Sequence, residues 1–102
     1  MLLTAGFATA ESRSLHFQRH GPEFNAASSD AYERMADVFL GGPLAVGVLE
    51  CTRGDGALVR YNPATDALGI MRANRTIRTF FKPTRGHNLA KGLAYFQGEC
   101  AK

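Results

Sequence analysis

The triplet Gly41-Gly42-Pro43 divides this chain into two textures, and no single fold period fits both sides of it. Upstream, Tyr32, Met35/Ala36 and Phe39/Leu40 fall at i, i+3/4 and i+7/8, the apolar stripe of an amphipathic helix. Asp30, with Glu33 three residues on, is expected to open that helix as a capping box. Glu33, Arg34 and Asp37 are then expected on its wet face. The triplet closes the helix, because glycine suits the cap and proline cannot continue it. Before it, Ser14 to Phe24 reads as a shorter helical stretch ended by Gly21-Pro22, and Asn25 to Ser29 as a polar loop.

Downstream, four runs of strand-like residues alternate with turn signals: Val46 to Arg53, Ala57 to Asn62, Ala67 to Arg72 and Arg75 to Lys82. Arg53-Gly54-Asp55-Gly56 and Asn62-Pro63-Ala64-Thr65-Asp66 are turns, and Ala73-Asn74 makes a tight connection in which Asn can take positive φ. Short strands joined this way predict an antiparallel meander. On the last strand, Ile77, Thr79 and Phe81 share one face and Thr76, Arg78, Phe80 and Lys82 the other. Each face is mixed, so both assignments of the buried side stay open. In the tail, Leu89, Leu93 and Phe96 permit a short helix that Gly92 and Gly98 weaken. The predicted architecture is α+β: N-terminal helices packed on one face of a four-stranded, or slightly larger, antiparallel sheet.

The length of 102 residues suits one domain. Residues 15–102 are expected to form it, with 1–14 as an N-terminal edge. No apolar run approaches the roughly 18 residues of a membrane span, and there is no repeat. Cys51 and Cys100 lack a metal-site spacing and are expected to be reduced thiols. The net charge of +3 hides an asymmetry. Residues 1–50 carry three basic and six acidic groups, and residues 51–102 carry nine basic and three acidic. A basic second half points to a polyanionic partner, RNA or DNA first.

Three sets of residues offer chemistry. His16 and His20, at i and i+4, stack on one helix face. Without a third local ligand they suit general acid/base work better than a metal. Thr79 and Lys82 place a hydroxyl and an ammonium near one another for a phosphate. Arg53, Arg60, Arg72, Arg75, Arg78 and Arg85 add guanidinium groups, whose fork matches phosphate geometry. Tyr61 and Tyr95 are candidates for base stacking. No paired carboxylates, nucleophile elbow or phosphate loop is present.

The ordered strings His16-Phe17-Gln18-Arg19-His20-Gly21, Arg60-Tyr61-Asn62-Pro63-Ala64-Thr65-Asp66 and Ile77-Arg78-Thr79-Phe80-Phe81-Lys82-Pro83, with Tyr95-Phe96 near the end, carry a resemblance. From Leu15 to Phe96 the chain resembles the C-terminal ribonuclease domains of bacterial polymorphic and contact-dependent growth inhibition toxins, in the Barnase/EndoU/colicin/RelE-like group. It departs from that pattern at Ala73-Asn74, where the family commonly has glycine, and at Thr84 to Asn88, which is longer than usual.

The resemblance implies a curved antiparallel sheet and a metal-independent endoribonuclease without cofactor. It implies cleavage of RNA, often tRNA, by 2′-hydroxyl attack giving a 2′,3′-cyclic phosphate. By the same carry-over His16, His20, Arg60, Thr79, Lys82 and Tyr95 are the expected catalytic set. Arg75, Arg78, Arg85 and His87 are expected to bind substrate, and the acid and base roles stay unordered. It further implies an exported effector that acts in the cytoplasm of a target bacterium. A cognate immunity protein, acidic if it covers a basic cleft, is the expected protein partner. The rival expectations are a non-catalytic RNA- or protein-binding module of the same shape, and a RelE-like enzyme that cuts ribosome-bound mRNA.

Overall fold

A computed structural model describes residues 2–85 and 89–102. Helix α1 (Ala10–His20) leads into a single 3₁₀ turn (Gly21–Phe24), and α2 (Ser29–Gly41) follows. Strands β1 (Leu49–Thr52), β2 (Leu58–Asn62), β3 (Ala67–Met71) and β4 (Ile77–Phe81) form one antiparallel sheet in the order β1-β2-β3-β4. Helix α3 (Leu89–Cys100) closes the chain. The α+β architecture is therefore the one that the two-texture pattern predicts.

The starts of α1 and α2 are set by hydroxyls. Thr9 accepts from the Ser12 N–H, and Ser28 accepts from the Ala31 N–H. The cap of α2 is thus Ser28 and not Asp30, whose carboxylate pairs with Arg13 at 3.0 Å. Helix α1 begins at Ala10, inside the stretch read as an edge. The residues before it are structural: Phe7 is buried in the core and bridges to Ile77. Asp37, expected on the wet face, is buried. It accepts hydrogen bonds from Leu3 N–H and Thr4 N–H, both at 2.7 Å, and from the Thr4 hydroxyl.

The helices do not share one side of the sheet. Tyr32, Ala36 and Leu40 of α2 pack with Phe7, Ala67, Met71, Ile77 and Phe80 on one face. Phe96 of α3 packs with Ala57, Val59, Tyr61, Leu68 and Ile70 on the other. That two-sided cover explains why all five residues of β3 are buried, where a one-faced sheet would show alternation. Gly69 lets the α2 side close, because a Cβ there would lie 3.0 Å from Leu40. Tyr61 is fully buried and donates to Asp66 at 2.8 Å, so it is not available for stacking bases. Burial, then the Asp66 hydrogen bond and charge, push its phenol up to about 12.

A bulge changes the reading of β4. Ile70 pairs with Thr79, but Met71 pairs with Ile77, so Arg78 is the extra residue. Strict alternation puts Ile77 with Thr79 and Phe81. The bulge instead puts Ile77 with Phe80 in the α2-side core and leaves Thr79 and Phe81 on the α3 side. In the hairpin before it, the positive φ belongs to Arg75, not Asn74. The expected free thiols are also corrected: Cys51 of β1 and Cys100 of α3 form a disulfide, bridging a separation of 49 residues.

Candidate functional site

On the α3 side of the bulge, α1, β4 and α3 enclose a cleft of about 350 Å³. Helix α1 supplies His16, Arg19 and His20, which its 3.6-residue period places on one face. Strand β4 supplies Arg78, Thr79 and Phe81 because the bulge re-aims two neighbouring residues toward the same side. Helix α3 supplies Tyr95 and Glu99, and Lys102 follows it.

The two histidines are held at their Nδ1 atoms. His16 Nδ1 lies 2.8 Å from the Ser12 carbonyl oxygen, a partner that only accepts, so Nδ1 carries the proton. His20 Nδ1 lies 2.8 Å from the Glu23 carboxylate, which fixes the same tautomer while Glu23 is ionised. In both rings Nε2 is then the basic nitrogen, and among the described residues neither Nε2 has a hydrogen-bond partner. The ring centroids of His16 and His20 are 6.4 Å apart. His20 packs on Phe81 at 5.4 Å, and Phe81 meets Tyr95 edge-on at 5.5 Å, so one aromatic row joins α1 to α3.

The cations in the cleft differ in freedom. Lys102 is tied to Glu99 at 2.8 Å, and Arg53 approaches the same carboxylate from behind. Among the described residues, Arg19 and Arg78 have no carboxylate within ion-pair distance. Among the described residues lining the cleft, these two guanidinium groups are the positive charges without a carboxylate partner. Among the described residues, no group of three or more His, Cys, Asp or Glu is placed to hold a metal ion.

The expected set is brought together only in part. His16, His20, Thr79, Tyr95 and Arg78 meet in the cleft. Arg60 lies on the α2 side, nearly buried. It bonds Glu50 at 2.6 Å and donates to the carbonyls of Phe39 and Gly42 at the end of α2. It is a helix-end cap. Lys82 is also turned away: its ammonium sits 5.3 Å from the centre of the Phe24 ring, at the edge of an apolar groove of about 670 Å³. Arg75 donates to the Leu3 carbonyl. Arg85 does not line the cleft; its exposed side chain lies 3.9 Å from Glu23. His87 lies outside the described residues.

Sequence reasoning missed Arg19, Glu23, Glu99 and Lys102. Arg19 was legible, since it shares the i, i+3, i+4 face of His16 and His20. Glu23 stands three residues after His20, across the Gly21-Pro22 that ends α1, and it is the 3₁₀ turn formed there that brings it back to His20. Glu99 and Lys102 carry no local signal. No protein-family model matches the chain, and no curated protein matches it at a significant level.

Proposed function

We propose that this protein is a metal-independent endoribonuclease and that the cleft between α1, β4 and α3 is its active site. The observation that carries the reading is the meeting of His16 and His20, each held at Nδ1, with Thr79, Tyr95, Arg19 and Arg78. Cleavage by 2′-hydroxyl attack needs a group to take a proton, a group to give one, and cations around the phosphorane. His20 Nε2 takes the proton of the ribose 2′-hydroxyl, and the Glu23 carboxylate stabilises the imidazolium as it forms. The oxygen attacks the adjacent phosphorus in line. The P–O5′ bond breaks, and His16, in its protonated form, supplies a proton to the departing oxygen. Arg19 and Arg78 offset the charge on the non-bridging oxygens, and the Thr79 hydroxyl donates to one of them. Tyr95, half exposed at the mouth, offers a ring to a flanking base.

In this reading the protein is an exported effector whose substrate is RNA, tRNA first, and whose producer carries an acidic immunity protein. The Cys51–Cys100 disulfide supports export, because such bonds persist in oxidising compartments. No helix of the described residues is long and apolar enough to cross a membrane.

The test is incubation of the purified protein with total RNA and with tRNA in EDTA. Discrete fragments ending in a 2′,3′-cyclic phosphate are expected. His20→Ala and Thr79→Ala should each reduce the rate, the former by roughly 10²-fold or more. RNA that is retarded but intact would identify a binding module instead. Full activity in both variants would place the chemistry elsewhere.

A further inference from the structure

Arg78 lines two concavities, not one. Beyond the cleft, a second hollow of about 360 Å³ is lined by Asp55, Ala57, Arg72, Ala73, Asn74 and Arg78, at the tip of the β3–β4 hairpin. Arg78, the extra residue of the bulge, is therefore the side chain that the two hollows share.

The chemistry of the second hollow is that of an anion site. Among the described residues, Arg72 has no carboxylate within ion-pair distance. Its contacts to the Thr76 hydroxyl and the Ile77 carbonyl, at 3.3 and 3.5 Å, use Nη1 alone. Asn74 accepts from the Thr76 N–H and hydroxyl through Oδ1, so its amide NH₂ is left to donate. The one carboxylate there, Asp55, is already committed. It accepts the Ala57 N–H at 3.0 Å and pairs with Arg53 at 2.9 Å, and these contacts, the Ala57 bond foremost, lower its carboxyl pKa. Unpaired guanidinium groups in series suit successive phosphates of one strand, not a single isolated anion.

We infer that the Arg72–Asn74 hollow is a second phosphate subsite, which takes the backbone of a single-stranded RNA one step beyond the scissile phosphate. The inference rests on the ribonuclease reading of the cleft and adds substrate length to it: the protein grips an extended strand, and a dinucleotide fills only the His16–His20 end.

Binding separates the two claims without any cleavage. The probes are fluorescein-labelled 2′-O-methyl oligonucleotides of two and six residues, which lack the attacking hydroxyl, read by fluorescence anisotropy across a salt series. The wild-type protein should bind the hexamer more tightly than the dimer. Arg72→Ala should weaken hexamer binding about five-fold at 0.1 M salt and lower the salt slope by about 0.7, one phosphate contact on a single strand. It should leave dimer binding unchanged. Arg72→Glu should weaken the hexamer further, and Arg34→Ala, a cation on the opposite groove, should change neither. A hexamer that loses affinity in Arg78→Ala but not in either Arg72 variant would end the strand at the cleft and overturn the inference, with the ribonuclease reading intact. Failure of both probes to bind the wild-type protein would overturn both.

Discussion

Glu23 links two elements beside the cleft. One oxygen accepts from His20 Nδ1 at 2.8 Å, and the other accepts the Lys82 N–H at 2.8 Å, so a single carboxylate ties the end of α1 to the end of β4. Its side chain is about one-tenth exposed, which keeps water from replacing either bond. Glu23→Gln should keep the bond to Lys82, since the amide oxygen still accepts, while removing the charge that faces the imidazole. We expect RNA cleavage to fall at least about ten-fold, because a neutral amide no longer stabilises the imidazolium that forms during proton transfer. The ¹⁵N spectrum of the His20 ring should also lose its Nδ1–H preference. An unchanged ring spectrum would show that Glu23 does not set the tautomer, whatever happens to the rate. At this scale the sequence was legible where a helix fixed the neighbours: His16 and His20 share a face because i and i+4 must. It was not legible for Arg60. A strand position gives the side of the sheet only relative to the residues beside it, and the carbonyls that Arg60 caps lie eighteen and twenty-one residues away.

Elements show the same division. The four strands were readable because their turns are local chemistry. Helix α3 was obscured by Gly92 and Gly98, which lower helix propensity. Gly92 is explained by packing, since a Cβ there would collide with the Tyr61 hydroxyl and lie 2.8 Å from Asp66 Oδ1; Gly98 faces open space. The N-terminal segment was the larger omission. It is held to α2 by Asp37, and to the β3–β4 hairpin by the Ala5 N–H to Arg75 carbonyl bond and the Arg75 side chain on Leu3. Burial alone raises a carboxyl pKa, but at Asp37 the bonds from Leu3 and Thr4 and the nearby Arg75 charge outweigh it, and the net direction is down. A depressed folded-state pKa contributes stability that is present above the unfolded value, about 3.9, and is lost as pH falls through the folded value. Urea unfolding should therefore show a loss of stability below about pH 4 that Asp37→Asn lacks. At pH 7 the variant should be less stable by about 1.5–3 kcal/mol, the scale of hydrogen bonds to a charged acceptor. Parallel pH profiles for the two proteins would refute this role for Asp37.

For the whole molecule, the decisive facts are the two-sided cover of the sheet and the bond that secures it. Among the side chains described in α3, Phe96 is the large apolar one buried, against β2 and β3, while Leu93 and Tyr95 stay partly exposed. This helix also supplies one wall of the cleft. The Cys51–Cys100 disulfide, with the Arg53–Glu99 ion pair beside it, fastens the end of α3 to β1. Nothing in a separation of 49 residues signals such a pairing, because only the folded sheet brings the two together. In the chain-entropy account, closing a loop of that length stabilises the native state by about 4 kcal/mol. Cys51→Ser/Cys100→Ser protein, or wild-type protein in reductant, should therefore lose about that much unfolding free energy. At about 4 °C or more per kcal/mol for a domain of this size, its melting temperature should fall by well over ten degrees. Because Tyr95, Glu99 and Lys102 stand on the fastened end, RNA cleavage should fall as well, even at temperatures where the rest of the domain stays folded. Hydrogen exchange makes the claim local: reduction should raise exchange in α3 first, with β2, β3 and α2 still protected. If α3 keeps its protection after reduction and stability is unchanged, then Phe96 and its neighbours hold the helix alone, and the disulfide adds nothing to the cleft.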